Sequence, residues 1–141
     1  MIQQCPSCGK KNRIPPQHLA DTGRCGACKN ELPPIAEPID ADAAIFDEIV
    51  NGARVPVLID FWAAWCGPCR MAAPEVKKVA ADMAGKAIVL KVDTEKETAI
   101  AERFNVMSIP NFVVMKNGRS VFQQPGLADH TQMAAWLKRA S

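Results

Sequence analysis

Six cysteines, arranged as three C-x-x-C pairs, constrain the fold of this 141-residue chain more than any other feature. Cys5–Cys8 and Cys25–Cys28 lie near the front, and Cys66–Cys69 lies close to the middle. The front segment shows almost no apolar periodicity, and a segment of roughly thirty residues cannot bury enough apolar surface to fold unaided. We therefore expect two unequal parts, a small module over residues 1–34 and a larger domain over residues 35–141.

The four front cysteines predict a zinc site. Sixteen residues separate Cys8 from Cys25, and each pair can supply two thiolates from one tight turn. Zn²⁺ takes four thiolates tetrahedrally at about 2.3 Å, so Cys5, Cys8, Cys25 and Cys28 would fill every coordination position. A site without an open position is structural, with no place for a substrate.

Other interpretations of the front cysteines stay open at this point. They could form two disulfides, which a reducing compartment disfavours, or they could hold an iron–sulfur cluster. His18 lies in the intervening loop and could replace one cysteine as a ligand. The stretch from Leu32 to Pro38 is rich in proline and predicts a stiff, extended connector.

The larger part alternates apolar strands with amphipathic helices, which predicts an α/β fold with a mixed sheet. Thr94 and Asp129 are expected to cap the third and fourth helices, and Asn117-Gly118 predicts a hairpin. Pro74 lies inside the second helix and predicts a kink there. The helices are expected over about 41–51, 66–84, 94–104 and 129–139, and the strands over 55–62, 87–92, 112–115 and 119–123.

Cys66-Gly67-Pro68-Cys69 lies at the junction between a predicted buried strand and the predicted helix that follows it. The first turn of a helix has unpaired amides and favours negative charge, so a thiol at this position loses its proton more easily. Cys66 would occupy the exposed position and attack a partner disulfide, and Cys69, one turn on, would resolve the mixed disulfide. The motif therefore predicts a dithiol–disulfide exchange centre.

The segment 61–70, Phe-Trp-Ala-Ala-Trp-Cys-Gly-Pro-Cys-Arg, resembles the active-site segment of thioredoxins. The resemblance covers about residues 39–141 and includes Asp60, Pro74, Ile109-Pro110, Lys116-Asn117-Gly118 and Gly126. It implies a thioredoxin fold, with a central sheet of about five strands flanked by four helices. Ala64 departs from the family, whose members often carry a charged residue or proline there, which affects partner preference rather than chemistry.

The resemblance also implies roles for residues around the cysteines. In thioredoxins the residue matching Asp60 helps to move the proton of the second cysteine through water, and Lys91 matches a lysine near that aspartate. Burial should raise the pKa of Asp60. A plain structural ion pair between Asp60 and Lys91 is the alternative. Pro110 matches a proline whose peptide bond is cis and which faces the cysteines.

The resemblance further implies a flat apolar platform for client segments. Its members would be Trp65, Gly67, Pro68, Ile109 and Gly126, with Leu127 as a further candidate. Ordinary core packing is the alternative for Trp65 and Ile109.

Taken with the front module, the whole chain is similar to the zinc-containing second thioredoxins of bacteria, with Asn12-Arg13-Ile14-Pro15 as part of the match. This similarity implies reduction of protein disulfides in the cytoplasm, recharging by thioredoxin reductase with NADPH, and a link to oxidative stress. A further hypothesis is that oxidants release the zinc and so alter the neighbouring domain. An oxidase or isomerase of the same fold, and a zinc-ribbon docking module with a vestigial redox domain, are the competing functions.

Composition narrows the remaining possibilities. The formal net charge of +2 gives no electrostatic case for a nucleic acid partner or an anionic membrane surface. No apolar run approaches the roughly 18 residues of a membrane span, and the first residues lack the pattern of a secretory signal. We therefore expect a cytoplasmic monomer.

Overall fold

The computed structural model describes all residues from 1 to 141. The front module consists of two small antiparallel hairpins, with one turn of 3-10 helix at Pro16–His18 between them. Each hairpin carries one C-x-x-C pair in its loop, so the two turns bring the four cysteines together. The strands are β1 (Ile2–Gln4), β2 (Lys11–Arg13), β3 (Gly23–Arg24) and β4 (Glu31–Leu32).

The larger part is a five-stranded mixed sheet with four helices, which confirms the expected fold class. The strand order is β5-β7-β6-β8-β9; β5, β7 and β6 are parallel, and β8 and β9 run antiparallel at one side. In chain order the elements are β5 (Ile39–Asp40), α1 (Ala43–Gly52), β6 (Val57–Trp62), α2 (Gly67–Asp82), β7 (Ile88–Asp93), α3 (Thr98–Arg103), β8 (Asn111–Lys116), β9 (Arg119–Pro125) and α4 (His130–Ala140).

Of the two helix caps predicted from the sequence, the one at α4 is confirmed and the one at α3 is not. Asp129 accepts a hydrogen bond from the backbone N–H of Gln132 in a full capping box, as expected. Thr94 does not cap α3: the helix begins four residues later, and the Thr94 hydroxyl donates to the carbonyl oxygen of Trp62 over 3.2 Å. The prediction that Thr94 caps α3 was therefore wrong, and its side chain instead joins the end of β7 to the end of β6.

The sheet separates two cores, because side chains alternate between its faces. On β6, Ile59 and Phe61 belong to the core beneath α1 and α3, whereas Leu58 belongs to the core beneath α2 and α4. Asp60 lies on the same face as Leu58, and it is buried. A strand buried on both faces explains the continuous apolar run of the sequence.

The front module packs directly on the larger part. Leu19 is buried within the core of α1, and its carbonyl oxygen accepts a hydrogen bond from the N–H of Ile35 over 3.0 Å. A Cβ on Gly52 would lie 2.9 Å from the Cβ of Pro16, so glycine permits close contact at the end of α1. Ile14 packs against both the cysteine cluster and the main core. The module is therefore docked on the domain.

Candidate active site and metal centre

Cys66 and Cys69 form a disulfide at the start of α2. Cys66 is the N-cap residue, and its Sγ accepts a hydrogen bond from the backbone N–H of Cys69 over 3.1 Å. Gly67 and Pro68 fill the first turn, where proline costs no hydrogen bond. The predicted strand-to-helix junction is confirmed, and it places Cys66 against the unpaired amides of the helix.

Both cysteines are buried in the disulfide form, with exposures of 3% for Cys66 and 4% for Cys69. The expectation that Cys66 is the exposed member is therefore wrong for this form. Ala63 packs with the two cysteines, and Ile109 packs against them from the opposite loop. What distinguishes Cys66 is its position at the helix N-terminus rather than its exposure.

The Ile109-Pro110 loop lies across the disulfide. Its peptide bond is cis, as the resemblance implies, and the carbonyl oxygen of Ile109 is 3.7 Å from the Sγ of Cys66. The carbonyl oxygen of Pro110 accepts a hydrogen bond from the N–H of Gly126 over 2.8 Å. This bond joins the loop to the residue after β9, so Cys66, Ile109 and Gly126 come together.

Asp60 is a buried carboxyl without a partner. It is 2% exposed, and its Oδ1 accepts no hydrogen bond. Burial raises the pKa of Asp60 to about 7, although the positive charge of Lys91 opposes the shift. No salt bridge joins Asp60 to Lys91, although the two residues are direct neighbours across β6 and β7, so a simple structural ion pair is not what holds them.

Trp65 lies on the surface and not in the core. It is 65% exposed, and its Nε1 donates a hydrogen bond to Oε1 of Glu95 over 2.8 Å. Ile109 is half-buried and packs against the core, whereas Met107 and Leu127 are exposed. Sequence reasoning missed Glu95 and Met107, because a carboxylate or methionine in a loop carries no motif of its own.

The four front cysteines form one cluster. Their sulfur atoms all lie within 4.8 Å of one another, and Cys5–Cys28 and Cys8–Cys25 are each separated by 3.6 Å. A tetrahedron of four thiolates at about 2.3 Å from a metal requires sulfur atoms about 3.8 Å apart. The cysteines therefore fit a tetrahedral metal ion, and none of the four is in a disulfide.

Asn12 ties the two cysteine turns together. Its Nδ2 donates to the Sγ of Cys25 over 3.5 Å, and its Oδ1 accepts from the N–H of Gly26 over 3.0 Å. The backbone amide of Cys28 and the amide of Asn12 lower the pKa of Cys25 to about 6. These donors stabilise a thiolate, which is the form that binds a metal.

The two histidines lie outside both sites. Nδ1 of His18 is 2.8 Å from Oδ2 of Asp21, so His18 is not a metal ligand. Nδ1 of His130 lies 2.9 Å from Oε1 of Glu75, and this contact links α4 to α2. This contact lowers the pKa of Glu75 to about 2.

The disulfide at a helix N-terminus, facing a cis-proline loop on this sheet, defines a thiol–disulfide oxidoreductase. A family model described as Thioredoxin matches residues 37–139, and a model described as Thioredoxin 2, N-terminal, a zinc ribbon, matches residues 4–30. The chain belongs to the thioredoxin family and carries the N-terminal ribbon of its second type.

Individual relatives agree with this assignment. Thioredoxin C-3 of Corynebacterium nephridii is 39% identical over 97% of this chain and 93% of its own length. Thioredoxin of Haemophilus influenzae is 36% identical over 74% of this chain and 98% of its own. The solved structure of a mutant thioredoxin from Halobacterium salinarum superposes with a TM-score of 0.69 at 29% identity, covering 74% of this chain and 91% of that one.

None of the helices has both the length and the apolar character required to cross a membrane.

Proposed function

We propose that this protein reduces disulfide bonds of client proteins by exchange at Cys66 and Cys69. The thiolate of Cys66 attacks one sulfur of the client disulfide, and the other client sulfur leaves as a thiolate that takes a proton from water. Cys69 then attacks the Sγ of Cys66, which releases the second client thiol and closes the Cys66–Cys69 disulfide. Two electrons pass from the protein to the client. The hydrogen bond from the Cys69 amide to the Cys66 sulfur is the observation that carries the proposal.

Asp60 is proposed to take the proton of Cys69 during resolution, through water. A carboxyl with a pKa raised to about 7 can exchange a proton near neutral pH, which an ordinary aspartate cannot. Lys91 is proposed to assist by favouring the ionised carboxylate. Pro110 is proposed to close the site on the side facing the cysteines.

The client surface is proposed to surround the disulfide. Trp65, Gly67, Pro68, Ile109 and Gly126 would contact the client chain. Neither the N–H nor the carbonyl of Ile109 bonds to another backbone group, and the carbonyl oxygen lies 3.7 Å from the Sγ of Cys66. The N–H is therefore free to pair with an extended segment. The exposed indole of Trp65 and the open space above Gly67 and Gly126 support this assignment.

The metal is proposed to be a single structural Zn²⁺ held by Cys5, Cys8, Cys25 and Cys28. These cysteines belong to a proposed module over residues 1–34, which precedes the thioredoxin domain over 35–141. Four thiolates favour zinc among the common divalent ions.

Four unoxidised thiols also fit a reducing compartment, so we assign the protein to the cytoplasm. Sensing of oxidants by zinc release would link it to oxidative stress.

Recharging is proposed to require thioredoxin reductase and NADPH. The direct experiment follows NADPH consumption while insulin is reduced by the protein and a bacterial thioredoxin reductase. Turnover that depends on Cys66 supports the proposal. Refolding of a protein with scrambled disulfides, without insulin reduction, would instead indicate an isomerase. Normal function of Cys66→Ser in cells would indicate a docking module.

A further inference from the structure

Three charged side chains stand in a row across three neighbouring strands. Asp40 of β5 is in register with Lys91 of β7, and Lys91 is in register with Asp60 of β6. All three lie on the α2 face of the sheet, because the residue before each of them belongs to the opposite core: Ile39, Leu90 and Ile59. Asp40 is exposed, Lys91 is half-buried and Asp60 is buried. Lys91 therefore lies between an exposed carboxyl, that of Asp40, and a buried one, that of Asp60.

The Lys91 ammonium rests on an aromatic ring. Its Nζ lies 4.7 Å from the centroid of the Trp62 ring, and no carboxylate forms a salt bridge with it. Trp62 follows Asp60 by two residues, so both side chains leave β6 on the same face. Nε1 of Trp62 is buried without a hydrogen-bond partner. Trp62 therefore acts on Lys91 through the face of its ring, by cation–π attraction.

A hollow of about 440 Å³ opens beside this contact and carries an acidic rim. Lys91 and Trp62 line it together with four carboxylates and one further cation: Asp40, Asp42, Asp93, Glu97 and Lys96. On the other side of β6, the residue in register with Asp60 is the uncharged Phe112. The rim carboxylates thus compete with Asp60 for the ammonium, and Lys91 is the cation in register with Asp60.

We infer that Trp62 is a positioning residue whose ring holds the Lys91 ammonium between Asp60 and the acidic rim, and so keeps this positive charge available to the Asp60 carboxylate. A nearby cation favours the carboxylate, whereas burial opposes it. The importance of this arrangement for the reaction rests on the proposed proton transfer by Asp60. The position of Lys91 itself can be tested in the resting disulfide form.

The test is a carbon-13 NMR titration of the Asp60 carboxyl in the oxidised full-length protein with zinc bound. Trp62→Leu should raise the titration midpoint by about one pH unit, because the ammonium moves to the rim. Trp62→Phe keeps a ring and should raise it less. Asp40→Asn removes a competitor and should lower it, and Asp82→Asn at the exposed end of α2 should leave it unchanged. An unchanged midpoint in Trp62→Leu would overturn the inference.

Two further variants separate positioning from mere packing. Lys91→Met should raise the midpoint, and adding Trp62→Leu to it should leave the midpoint there. Because burial raises the pKa of a carboxyl, removing a Trp62 ring that only excluded water would lower the midpoint. Either a fall or a further rise in the double variant overturns the inference. Should Trp62→Leu not fold, Asp40→Asn decides, since an unchanged or raised midpoint contradicts the competition. A separate experiment tests the proposed proton transfer by Asp60. If Asp60→Asn reduces insulin with the wild-type pH profile, that proposed function fails, whatever the titration midpoints show.

Discussion

The backbone N–H of Cys69 points at the sulfur of Cys66 and lies 3.1 Å from it. This bond gives the two cysteines different chemistry although they are equally buried. The amide and the start of α2 favour negative charge on Cys66, whereas Cys69 lies inside the helix without such a donor. This asymmetry supports the proposed order of attack, with Cys66 first and Cys69 second.

Replacement of the resolving cysteine should trap clients. In Cys69→Ser, the thiolate of Cys66 still attacks, but no thiol remains to release the mixed disulfide. Non-reducing electrophoresis with mass spectrometry should find client proteins attached to Cys66. Cys66→Ser, the matched control, should trap far less. Adducts on Cys5 or Cys28 would contradict the assigned roles.

Replacement of the buried carboxyl should stabilise the protein in a pH-dependent way. The pKa of Asp60 is raised from 3.8 in the unfolded chain to about 7, so the folded state is penalised once the unfolded carboxyl ionises. The penalty is absent below about pH 4, grows as pH rises and is complete above about pH 7. Asp60→Asn should remove up to about 4 kcal/mol of it at pH 8.

Urea unfolding of the oxidised protein at pH 4 and pH 8 measures this effect. The gain in the free energy of unfolding should be large at pH 8 and small at pH 4. Asp82→Asn, an exposed carboxyl for comparison, should show no such difference. An equal gain in the free energy of unfolding at both pH values would mean that folding does not raise the pKa of Asp60.

Loss of the Leu19 side chain should destabilise the larger domain. Leu19 belongs to the front module but is buried in the core of α1. Leu19→Ala should cost about 2–4 kcal/mol, as other large-to-small core substitutions do. Trp62, Trp65 and Trp136 all lie in the larger domain, so tryptophan fluorescence reports its unfolding. Leu127→Ala, at an exposed site, is the control, and an unchanged fluorescence transition in Leu19→Ala would show that the module is only tethered.

Loss of the Asn12 amide should weaken metal binding. Asn12 donates to the Cys25 sulfur and holds the backbone of the second cysteine turn. Outer-shell partners of this kind typically contribute about 10–100-fold to metal affinity. Competition with a chromophoric zinc chelator should show this loss in Asn12→Ala and none in Thr22→Ala, at an exposed position in the same module. Equal affinities would remove Asn12 from the metal site.

Periodicity and motif spacing were sufficient to predict the main helices and strands of the larger domain and the grouping of the cysteines into two clusters. β6 and α2 are long and strongly patterned, and the cysteine pairs fix their own geometry. Two-residue strands were beyond this reasoning: Ile39–Asp40 follows a proline-rich connector, and its pairing with β7 depends on contacts distant in sequence. The four strands of the front module are short and polar and have no periodicity to detect.

The site residues that escaped prediction act through tertiary contacts. Glu95 matters because its carboxylate meets Trp65, and Trp62 because Lys91 rests on it. The docking of Leu19 into the main core is equally invisible in a segment that lacks apolar periodicity. Burial of Cys66 depends on how the Ile109 loop folds over it, which no local pattern encodes.

The most direct test of the account is the pH dependence of alkylation in the reduced, zinc-bound protein, with the modified residue identified by mass spectrometry. Cys66 should react first, with a midpoint clearly below the pKa of about 8.5 of an ordinary cysteine. Cys69 and the four metal cysteines should be slower. First reaction at Cys69, or a Cys66 midpoint at or above that of a free thiol, would contradict the claim that this helix end activates Cys66.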